Sequence, residues 1–343
     1  MDKSNQGRVT LKTIAQATGY SANTVSHALK GRGDIAAPTA ALIRKKAEEL
    51  GYINDMVASS LRSGFTRSIA LILPNVANPF WAVLTKGINL ALYKYDYTAL
   101  IMDTNEKSEL EYRAVQAAIA RKVDGIIIVP NQLDRAAIRL MRQNNVPYVL
   151  LGRFFEDEEM NCVTWDDENG AYLAASHLLE LGKERVLFVN GPQYLSSSVE
   201  RLKGYCRALD AHNIPYRKEL VRETHISAAS DNAELIRILE QESSYDAIFA
   251  FSDFIAWEIM AISKTMPNQH ALEVPIAGFD DIQSELRIPL PLTTVGADKQ
   301  LVAQTTVKLL MELIHGRAPA EPQRIVLPTY LVQHGEQNNH FEL

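Results

Sequence analysis

The sequence predicts a small all-α head followed by a larger doubly wound α/β body with two lobes. Three features predict it: a helix-turn-helix spacing near the start, an excess of basic residues in the same region, and apolar runs that alternate with amphipathic stretches afterwards. With 343 residues, 47% of them hydrophobic, the chain has room for two or three domains with sizeable cores. A disordered tail protein is therefore excluded.

The head begins with two short helices that the pattern places within Leu11–Lys30, joined by a tight turn. Ala15 is small where the two helix axes must approach each other. Gly19 stands where the turn needs a left-handed backbone, which glycine adopts without steric cost. Ser21 is placed to cap the second helix.

A third amphipathic helix, from about Thr39 to Leu50 with Pro38 at its start, is predicted to complete the head. Its apolar positions recur at helical spacing, as do those of the first two helices. The predicted core of the head comprises Leu11, Ile14, Val25, Leu29, Ala40, Ile43, Ala47 and Leu50. Three helices around one core make the head an independent domain.

Charge is distributed unevenly between the head and the rest of the chain. Residues 1–65 carry nine Lys and Arg against five Asp and Glu, a balance of +4, whereas the remainder carries −10. DNA affinity comes largely from Lys and Arg that neutralise phosphates. A basic head on an acidic body is what we expect when one end of a protein binds a polyanion.

The second helix of a helix-turn-helix enters the major groove of double-stranded DNA, and its first residues meet base edges. Asn23 can pair with adenine through two hydrogen bonds, whereas Ala22 offers only a methyl contact, for instance to thymine. His27 is the third candidate for base contact, and the phosphate candidates are Ser21, Thr24 and Ser26. The alternative interpretation makes all six ordinary exposed helix residues.

The body alternates predicted strands with predicted helices, which indicates parallel strands covered on both faces. The predicted strands are Ile69–Leu73, Thr98–Met102, Gly125–Val129, Tyr148–Leu151, Arg185–Val189, Ala247–Phe251 and Val274–Ala277. The predicted helices include Trp81–Tyr93, Leu110–Ala120, Gly170–Leu181 and Asn232–Glu240. Two similar series, before and after Val163, favour two lobes with a small polar ligand in the cleft between their strand ends.

Other classes of protein find little support in the sequence. The apolar runs are far shorter than the ~20 residues that cross a bilayer, and the polar start MDKSNQGRVT lacks a secretory signal, so we expect a cytoplasmic protein without membrane contact. Cys162 and Cys206 have no neighbours at metal spacing and are expected to pack in the interior. No catalytic constellation, metal site or cofactor motif is evident, and His177 is interpreted as structural.

The segments VTLKTIAQATGYSANTVSHALKGRGDIAAP, LILPNVANPFW, VDGIIIV, ERLKGY, FSDFIA and IAGFDDIQSELRIPLPLTTV together resemble the Lac and Gal repressor family of bacterial transcription regulators. The resemblance covers nearly the whole chain. It implies a helix-turn-helix domain at 1–53, a hinge helix and linker at 54–66 and a core at 67–343. The implied core is similar to periplasmic sugar-binding proteins: an N-lobe of about 67–163 and 295–324, and a C-lobe of about 164–292 and 325–338, joined by three crossovers.

The resemblance also implies a homodimer on operator DNA. In relatives the hinge, here DMVASSLR at 55–62, folds on DNA, and paired leucines wedge into the minor groove; Leu61 is that residue here. His27, Asn54 and Ser59 depart from residues usual in the family, which puts the operator sequence in doubt. The polar end HGEQNNHFEL carries no leucine heptad, so a tetramer-forming coil is not expected.

For the effector pocket, the resemblance places Phe80 and Trp81 against the ligand, although either could instead be a core residue. Arg201 matches a family arginine that reaches ligand hydroxyl or carboxylate groups, and Asp280 matches an acidic residue that accepts hydrogen bonds from the ligand. Ser252 stands where relatives often have Asn, and Asp103 ends the second predicted strand.

The sequence allows two roles for several further residues near the predicted pocket. Arg153 is either a ligand contact or a structural ion pair, and Trp165 and Trp257 either extend an aromatic wall or pack internally. Gly152 stands where relatives frequently have Asp, and Glu258 where they usually have Gly. The pocket therefore copies no single relative.

These features predict a sequence-specific DNA-binding regulator, a repressor of carbohydrate-related genes, whose operator affinity responds to a small effector such as a sugar. A nucleobase or other metabolite is the alternative effector. A solute-binding protein and a sugar-handling enzyme are the competing classes, disfavoured by the basic head and by the missing catalytic motif.

Overall fold

The computed structural model describes residues 9–53, 64–225, 233–241, 244–267, 269–286 and 292–334. The chain divides into two compact units between Thr66 and Arg67. The hinge segment predicted at 55–62, including Leu61, lies outside the described residues.

The described residues of the first unit form three helices, α1 (Leu11–Thr18), α2 (Ala22–Leu29) and α3 (Ala37–Glu49). Gly19 ends α1 with φ of +78° and donates its backbone N–H to the carbonyl oxygen of Ala15 over 2.9 Å. Ser21 caps α2 by accepting the backbone N–H of Thr24 over 3.1 Å. The turn chemistry predicted from the sequence is confirmed.

The core of the first unit is small and fully apolar. Its buried side chains come from all three helices: Ile14, Val25, Ala28, Ala40, Ile43 and Ala47, with Leu11, Leu29 and Leu50 packed around them. The i and i+4 pattern of the sequence therefore identified the inward faces of the three helices.

The second unit is the α/β core. Its helices are α4 (Pro79–Tyr93), α5 (Ser108–Ala120), α6 (Ala136–Gln143), α7 (Asp167–Glu180), α8 (Ser196–Ala211), α9 (Ala233–Gln241), α10 (Asp253–Ser263), α11 (His270–Glu273), α12 (Gln283–Leu286) and α13 (Lys299–Ile314). Its strands are β1 (Ser68–Leu73), β2 (Thr98–Asp103), β3 (Gly125–Ile128), β4 (Tyr148–Leu151), β5 (Cys162–Trp165), β6 (Val186–Asn190), β7 (Val221–Glu223), β8 (Ala247–Ala250), β9 (Ile276–Ala277), β10 (Thr293–Ala297), β11 (Arg324–Leu327) and β12 (Thr329–Gln333).

The strands form two six-stranded sheets, which define the two lobes. The N-lobe sheet has the order β11-β5-β4-β3-β1-β2 with every pair parallel. The C-lobe sheet has the order β12-β10-β9-β8-β6-β7 and is parallel except where β12 pairs with β10. The predicted doubly wound fold with two lobes is confirmed.

The chain passes between the sheets three times: after β5, after β10 and between β11 and β12. The pairings correct the lobe boundaries expected from the sequence. Strand β10 belongs to the C-lobe through Ala297, where the N-lobe was expected to resume at 295. Strand β11 remains in the N-lobe to Leu327, and β5 to Trp165, because each pairs within that sheet. The boundaries differ from the expectation because each strand belongs to one sheet over the whole length of its hydrogen-bonded pairing.

Helices α7 and α8 of the C-lobe pack at very short range. A Cβ atom on Gly204 of α8 would collide with the backbone carbonyl of Glu168 and lie 2.8 Å from the backbone nitrogen of Tyr172, both on α7. Only glycine permits this approach. The approach brings Asp167, at the start of α7, within reach of Arg201 on α8.

Candidate functional site

The first turn of α2 presents its side chains to solvent. Ser21, Ala22 and Asn23 are exposed, while Thr24, Ser26 and His27 are half-buried along the same helix. Val25 and Ala28 point into the core and are fully buried. The six DNA-contact candidates therefore lie on the side of α2 that the core leaves open, which is the arrangement a recognition helix requires.

Three of these side chains also form contacts within the head itself. The Ser21 and Thr24 hydroxyl oxygens are 2.8 Å apart, so the capping turn fixes both of them. The Nδ1 atom of His27 lies 2.6 Å from Oδ2 of Asp34, in the connection between α2 and α3. Sequence reasoning did not anticipate this second contact.

A cavity lies between the two lobes, at the carboxyl ends of their strands. The residues that line it come from loops and helix starts on both sides. Those of the N-lobe are Asn75, Asn78, Phe80, Trp81, Glu106, Gly152, Arg153 and Trp165, and those of the C-lobe are Ser197, Arg201, Phe251, Ser252, Phe254, Ile255 and Asp280.

Six of the seven effector residues predicted from the sequence line this cavity. The seventh, Asp103, does not. It is exposed at the end of the edge strand β2, and its Oδ1 accepts the backbone N–H of Val76 over 3.1 Å. The prediction for Asp103 is corrected: its carboxylate anchors the loop before α4.

Aromatic rings form one wall of the cavity. Phe80 lies edge to face with Trp81, at a centroid distance of 4.9 Å, and with Trp165, at 5.4 Å. All three rings are buried, and they also belong to the main hydrophobic core. Phe80 and Trp81 are therefore core residues that also line the cavity.

Arg153 is held in an ion pair on the N-lobe side. Its guanidinium donates to both carboxylate oxygens of Glu106, over 2.7 and 3.0 Å, and to the carbonyl oxygen of Pro130 over 3.0 Å. Burial acts to lower the pKa of Arg153, but the Glu106 carboxylate outweighs it and the pKa lies above its ordinary value. Arg153 therefore belongs to a structural ion pair with Glu106 and also lines the cavity.

Arg201 has a similar place on the C-lobe side. Its Nε donates to Oδ1 of Asp167 over 2.8 Å, and its NH1 donates to the carbonyl oxygen of Phe251. The guanidinium carbon lies 3.7 Å from the centroid of the Phe279 ring. Burial raises the pKa of Asp167 to about 6, against the opposing effect of Arg201.

Two buried polar groups at the cavity are available to a ligand, and the first of them is a nitrogen atom with no hydrogen-bond partner among the described residues. One is Nδ2 of Asn75, whose Oδ1 accepts the backbone N–H of Ala77 over 2.9 Å. The other is the carboxyl group of Asp280, which is 7% exposed. Burial raises the pKa of Asp280 well above its ordinary value, with Arg201 opposing. Buried polar groups normally have partners, so these two mark where a ligand would bind.

Two further lining residues are helix caps. Oδ1 of Asn78 accepts the backbone N–H of Phe80 over 3.0 Å at the start of α4. Oγ of Ser252 accepts the backbone N–H of Ile255 over 3.2 Å at the start of α10. The Asn78 amide group and the Ser252 hydroxyl hydrogen are left for a ligand.

The lobes are bridged beside the cavity by Gln132, which follows β3. Its Nε2 donates to the carbonyl oxygen of Phe154 over 2.6 Å, and its Oε1 accepts the backbone N–H of Ser196 over 2.9 Å. The backbone N–H of Phe154 donates to Oγ of Ser196 over 3.1 Å. Because Ser196 begins α8 of the C-lobe, these bonds connect the two lobes directly.

Comparisons with known proteins agree with this architecture. A family model described as "periplasmic binding proteins and sugar binding domain of LacI family" matches residues 66–335. The chain belongs to the LacI/GalR family. Among curated relatives, the transcriptional repressor PurR of Aliivibrio fischeri strain MJ11 is 29% identical, over 89% of this chain and 91% of the relative. The transcriptional regulator CelR of Thermobifida fusca is 27% identical, over 95% and 97%.

Solved structures of the LacI/GalR family superpose over almost the full length. The Lac repressor dimer bound to operator and the anti-inducer ONPF gives a TM-score of 0.79 at 25% identity, over 96% of this chain and 99% of that one. The CelR–cellobiose complex gives a TM-score of 0.70 at 26% identity, over 95% and 99%.

The glycine at position 152 has a steric explanation in this chain. Gly152 adopts φ of +72°, and a Cβ atom there would lie 2.8 Å from the indole of Trp165. The indole thus occupies the space that a side chain at 152 would need.

Replacing Gly152 with alanine is expected to destabilise the core by about 2–3 kcal/mol, because backbone strain and overpacking act together. Chemical unfolding of the core measures this loss. Gly182→Ala is the matched control: Gly182 has φ of +78°, but a Cβ atom added there would meet nothing within 4 Å, so only the strain is introduced, at about 1 kcal/mol. Equal losses at both positions would show that Trp165 does not restrict the site.

Sequence reasoning missed several lining residues, chiefly Asn75, Asn78, Glu106 and Ser197. Asn75 and Asn78 were visible as polar residues directly after a buried strand. Glu106 was not, because its significance depends on Arg153, which is 47 positions away in the sequence. Trp257 does not line the cavity and packs between two hydrophobic clusters.

The two cysteines and His177 lie in the α/β core of the second unit. Cys162 is buried and Cys206 half-buried, and both are free thiols. Nδ1 of His177 lies 3.2 Å from Nε2 of Gln333, away from the cavity. In the described ranges, no cluster of three or more His, Cys, Asp or Glu is arranged to hold a metal ion, and no helix there is long and apolar enough to span a membrane.

Proposed function

We propose that this protein is a transcriptional repressor that binds double-stranded operator DNA as a homodimer, with an affinity controlled by a small effector between its lobes. The observation that carries the proposal is the combination of two sites in one chain. An exposed recognition helix occupies the first unit, and a cavity lined by aromatic rings and buried polar groups occupies the second. A regulator of this kind acts on the bacterial chromosome, hence in the cytoplasm, and needs no catalytic residue.

The cavity favours a neutral effector. Both arginines that line it already have a carboxylate partner, Glu106 for Arg153 and Asp167 for Arg201. An anionic ligand such as a sugar phosphate would therefore meet no unpaired cation among the described lining residues. Because burial raises the pKa of Asp280, a cationic ligand gains little from that side as well.

The unpaired groups favour a ligand rich in hydroxyls. A hydroxyl both donates and accepts, so it can bind the Asn75 amide and the Asp280 carboxyl group in either protonation state. The rings of Phe80, Trp81 and Trp165 suit the apolar face of a sugar ring. We infer a neutral sugar as the effector and carbohydrate-related genes as the target. A nucleobase is the second candidate, because it is also neutral and its flat ring suits an aromatic wall.

Two measurements on the full chain test this proposal. The first selects a duplex from a random DNA library and measures its affinity for the protein. The second screens neutral sugars, nucleobases and glucose 6-phosphate by thermal shift, since a ligand that binds the folded core raises its melting temperature. We expect a palindromic duplex to be selected, and a neutral sugar to raise the melting temperature and change the affinity for that duplex.

Each part of the proposal has an outcome that overturns it. Failure to select any duplex would refute the regulator. A shift with nucleobases alone would replace the sugar with the second candidate. A shift with glucose 6-phosphate, but not with neutral sugars, would refute the charge argument.

A further inference from the structure

The contact between His27 and Asp34 in the head lies beside the proposed DNA-binding surface. Oδ2 of Asp34 is 2.6 Å from Nδ1 of His27, with side-chain exposures of 53% and 23%. His27 belongs to the last turn of α2, and Asp34 to the connection that leads into α3. His27 is the only histidine in residues 1–66.

The carboxylate determines which ring nitrogen carries a proton. An ionised carboxylate only accepts hydrogen bonds, so Nδ1 must be the N–H donor of this pair. The neutral ring then has a bare Nε2, which can only accept, whereas the protonated ring has an Nε2–H, which can only donate. Among the described residues, Nε2 of His27 has no hydrogen-bond partner, so it is free to meet an external group.

Cationic residues of the head surround the pair, and they oppose a further positive charge on the ring while no DNA is bound. The other charged side chains nearest to the pair in sequence and packing are Lys30, Arg32 and Arg44; the backbone N–H of Arg32 donates to the carbonyl oxygen of His27, and Nε of Arg44 to that of Ala28. DNA phosphates repel an isolated carboxylate at this surface and attract a protonated imidazole. Binding of DNA therefore favours proton uptake by the ring, and Asp34 supplies the opposite charge that remains in place.

We propose that Asp34 is a positioning residue that holds the His27 ring so that, once protonated, its Nε2–H donates to an acceptor on operator DNA. The acceptor is N7 or O6 of guanine in the major groove or a phosphate oxygen, since all of these accept a hydrogen bond. This inference rests on the proposed DNA-binding function and adds to it a proton-dependent contact that involves two residues.

The test measures the affinity of the full chain for the selected duplex from pH 5.5 to 8.5 at constant ionic strength. For the wild type, we expect the dissociation constant to rise about tenfold between pH 6 and pH 8, because binding takes up a proton. His27→Gln should remove the pH dependence. Asp34→Asn keeps an acceptor for Nδ1–H but removes the charge, so the loss of affinity should begin at lower pH.

Glu49→Gln is the matched control. Glu49 is an exposed carboxylate of α3 that pairs with Lys46 over 2.9 Å. Its replacement changes the head charge by the same amount as Asp34→Asn, so it should alter affinity at every pH and leave the shape of the pH profile unchanged.

Modified duplexes distinguish the two kinds of acceptor. A 7-deazaguanine substitution removes one base acceptor at a time, and a methylphosphonate removes one phosphate charge. The substitution that abolishes the pH dependence of the wild type identifies the acceptor. Tight binding with identical pH profiles for the wild type, His27→Gln and Asp34→Asn would overturn this inference while leaving the regulator intact. If no duplex were selected at all, the proposed function itself would fail.

Discussion

Replacing Arg201 with alanine is expected to destabilise the core by about 3–5 kcal/mol, in addition to any loss of effector binding. Arg201 is 3% exposed, and its guanidinium is the counterion of Asp167, which is 4% exposed. The variant would leave this carboxylate buried without its counterion. It would also remove the cation that packs against the ring of Phe279. Chemical unfolding of the core, followed by tryptophan fluorescence, measures the loss.

The double variant Arg201→Met with Asp167→Leu separates stability from ligand contact. Replacing both members of a buried ion pair by apolar residues of similar size is often neutral. The double variant should therefore recover most of the stability that Arg201→Ala loses. If Arg201 also contacts the effector, the double variant should fold but show no thermal shift with the effector that the wild type binds. Wild-type stability in Arg201→Ala would contradict the role of the ion pair.

The sequence was sufficient for those strands that are continuous apolar runs. The run predicted at Ile69–Leu73 is β1, whose residues are buried on both faces. It was insufficient for β10, Thr293–Ala297, which is nearly as buried but begins with two threonines. Thr294 is tolerated there because its hydroxyl donates to the buried carboxylate of Asp253. A buried polar residue interrupts the apolar pattern from which a strand is predicted. When its hydrogen-bond partner is distant in the sequence, nothing nearby shows that the residue can be buried.

In the cavity, too, contacts between residues distant in the sequence could not be predicted. The resemblance of the ANPFW, ERLKGY and AGFDD segments to a known family was enough to place Phe80, Trp81, Arg201 and Asp280. It gave no means of recognising that Arg201 and Arg153 are each neutralised by a carboxylate, because both partners lie on other loops or helices. The proposal of a neutral effector rests on these pairs, so it could not be made before the fold was known.

In the head, the helix caps were predictable, because they depend on residues a few positions apart. The contact between His27 and Asp34 spans seven residues and an irregular connection, so no helical or strand period indicates it. A contact of this kind can be recognised only when the backbone path between α2 and α3 is known.

Replacing Asp253 with asparagine is expected to stabilise the core above pH 7. Asp253 is fully buried, and its carboxylate accepts hydrogen bonds from the Thr294 hydroxyl and, over 2.8 Å, from the backbone N–H of Ile282. Burial raises the pKa of Asp253 to about 7, against these hydrogen bonds. Asparagine resembles the protonated acid: its oxygen can accept from Ile282 while its amide donates to Thr294.

The sign of the pH dependence follows from proton binding. The unfolded carboxyl group has a pKa near 4, so between pH 4 and 7 the folded protein binds more protons than the unfolded chain. The contribution of Asp253 to stability is therefore fully present at low pH and lost as pH rises through the folded pKa of about 7. Asp167 and Glu111, whose pKa values burial raises to about 6 and about 7, act in the same direction.

The measurement is the free energy of unfolding of the core at pH 5, 6, 7 and 8 at constant ionic strength. Wild-type stability should fall as the pH rises, and the advantage of Asp253→Asn should grow by about 2 kcal/mol between pH 5 and 7 and then level off. Glu109→Gln is the control, because Glu109 is 83% exposed on α5 and its replacement should leave the slope unchanged. If the variant were less stable than the wild type at pH 8, the Asp253 carboxylate would be favourable in its charged form, and burial would not be what sets its pKa.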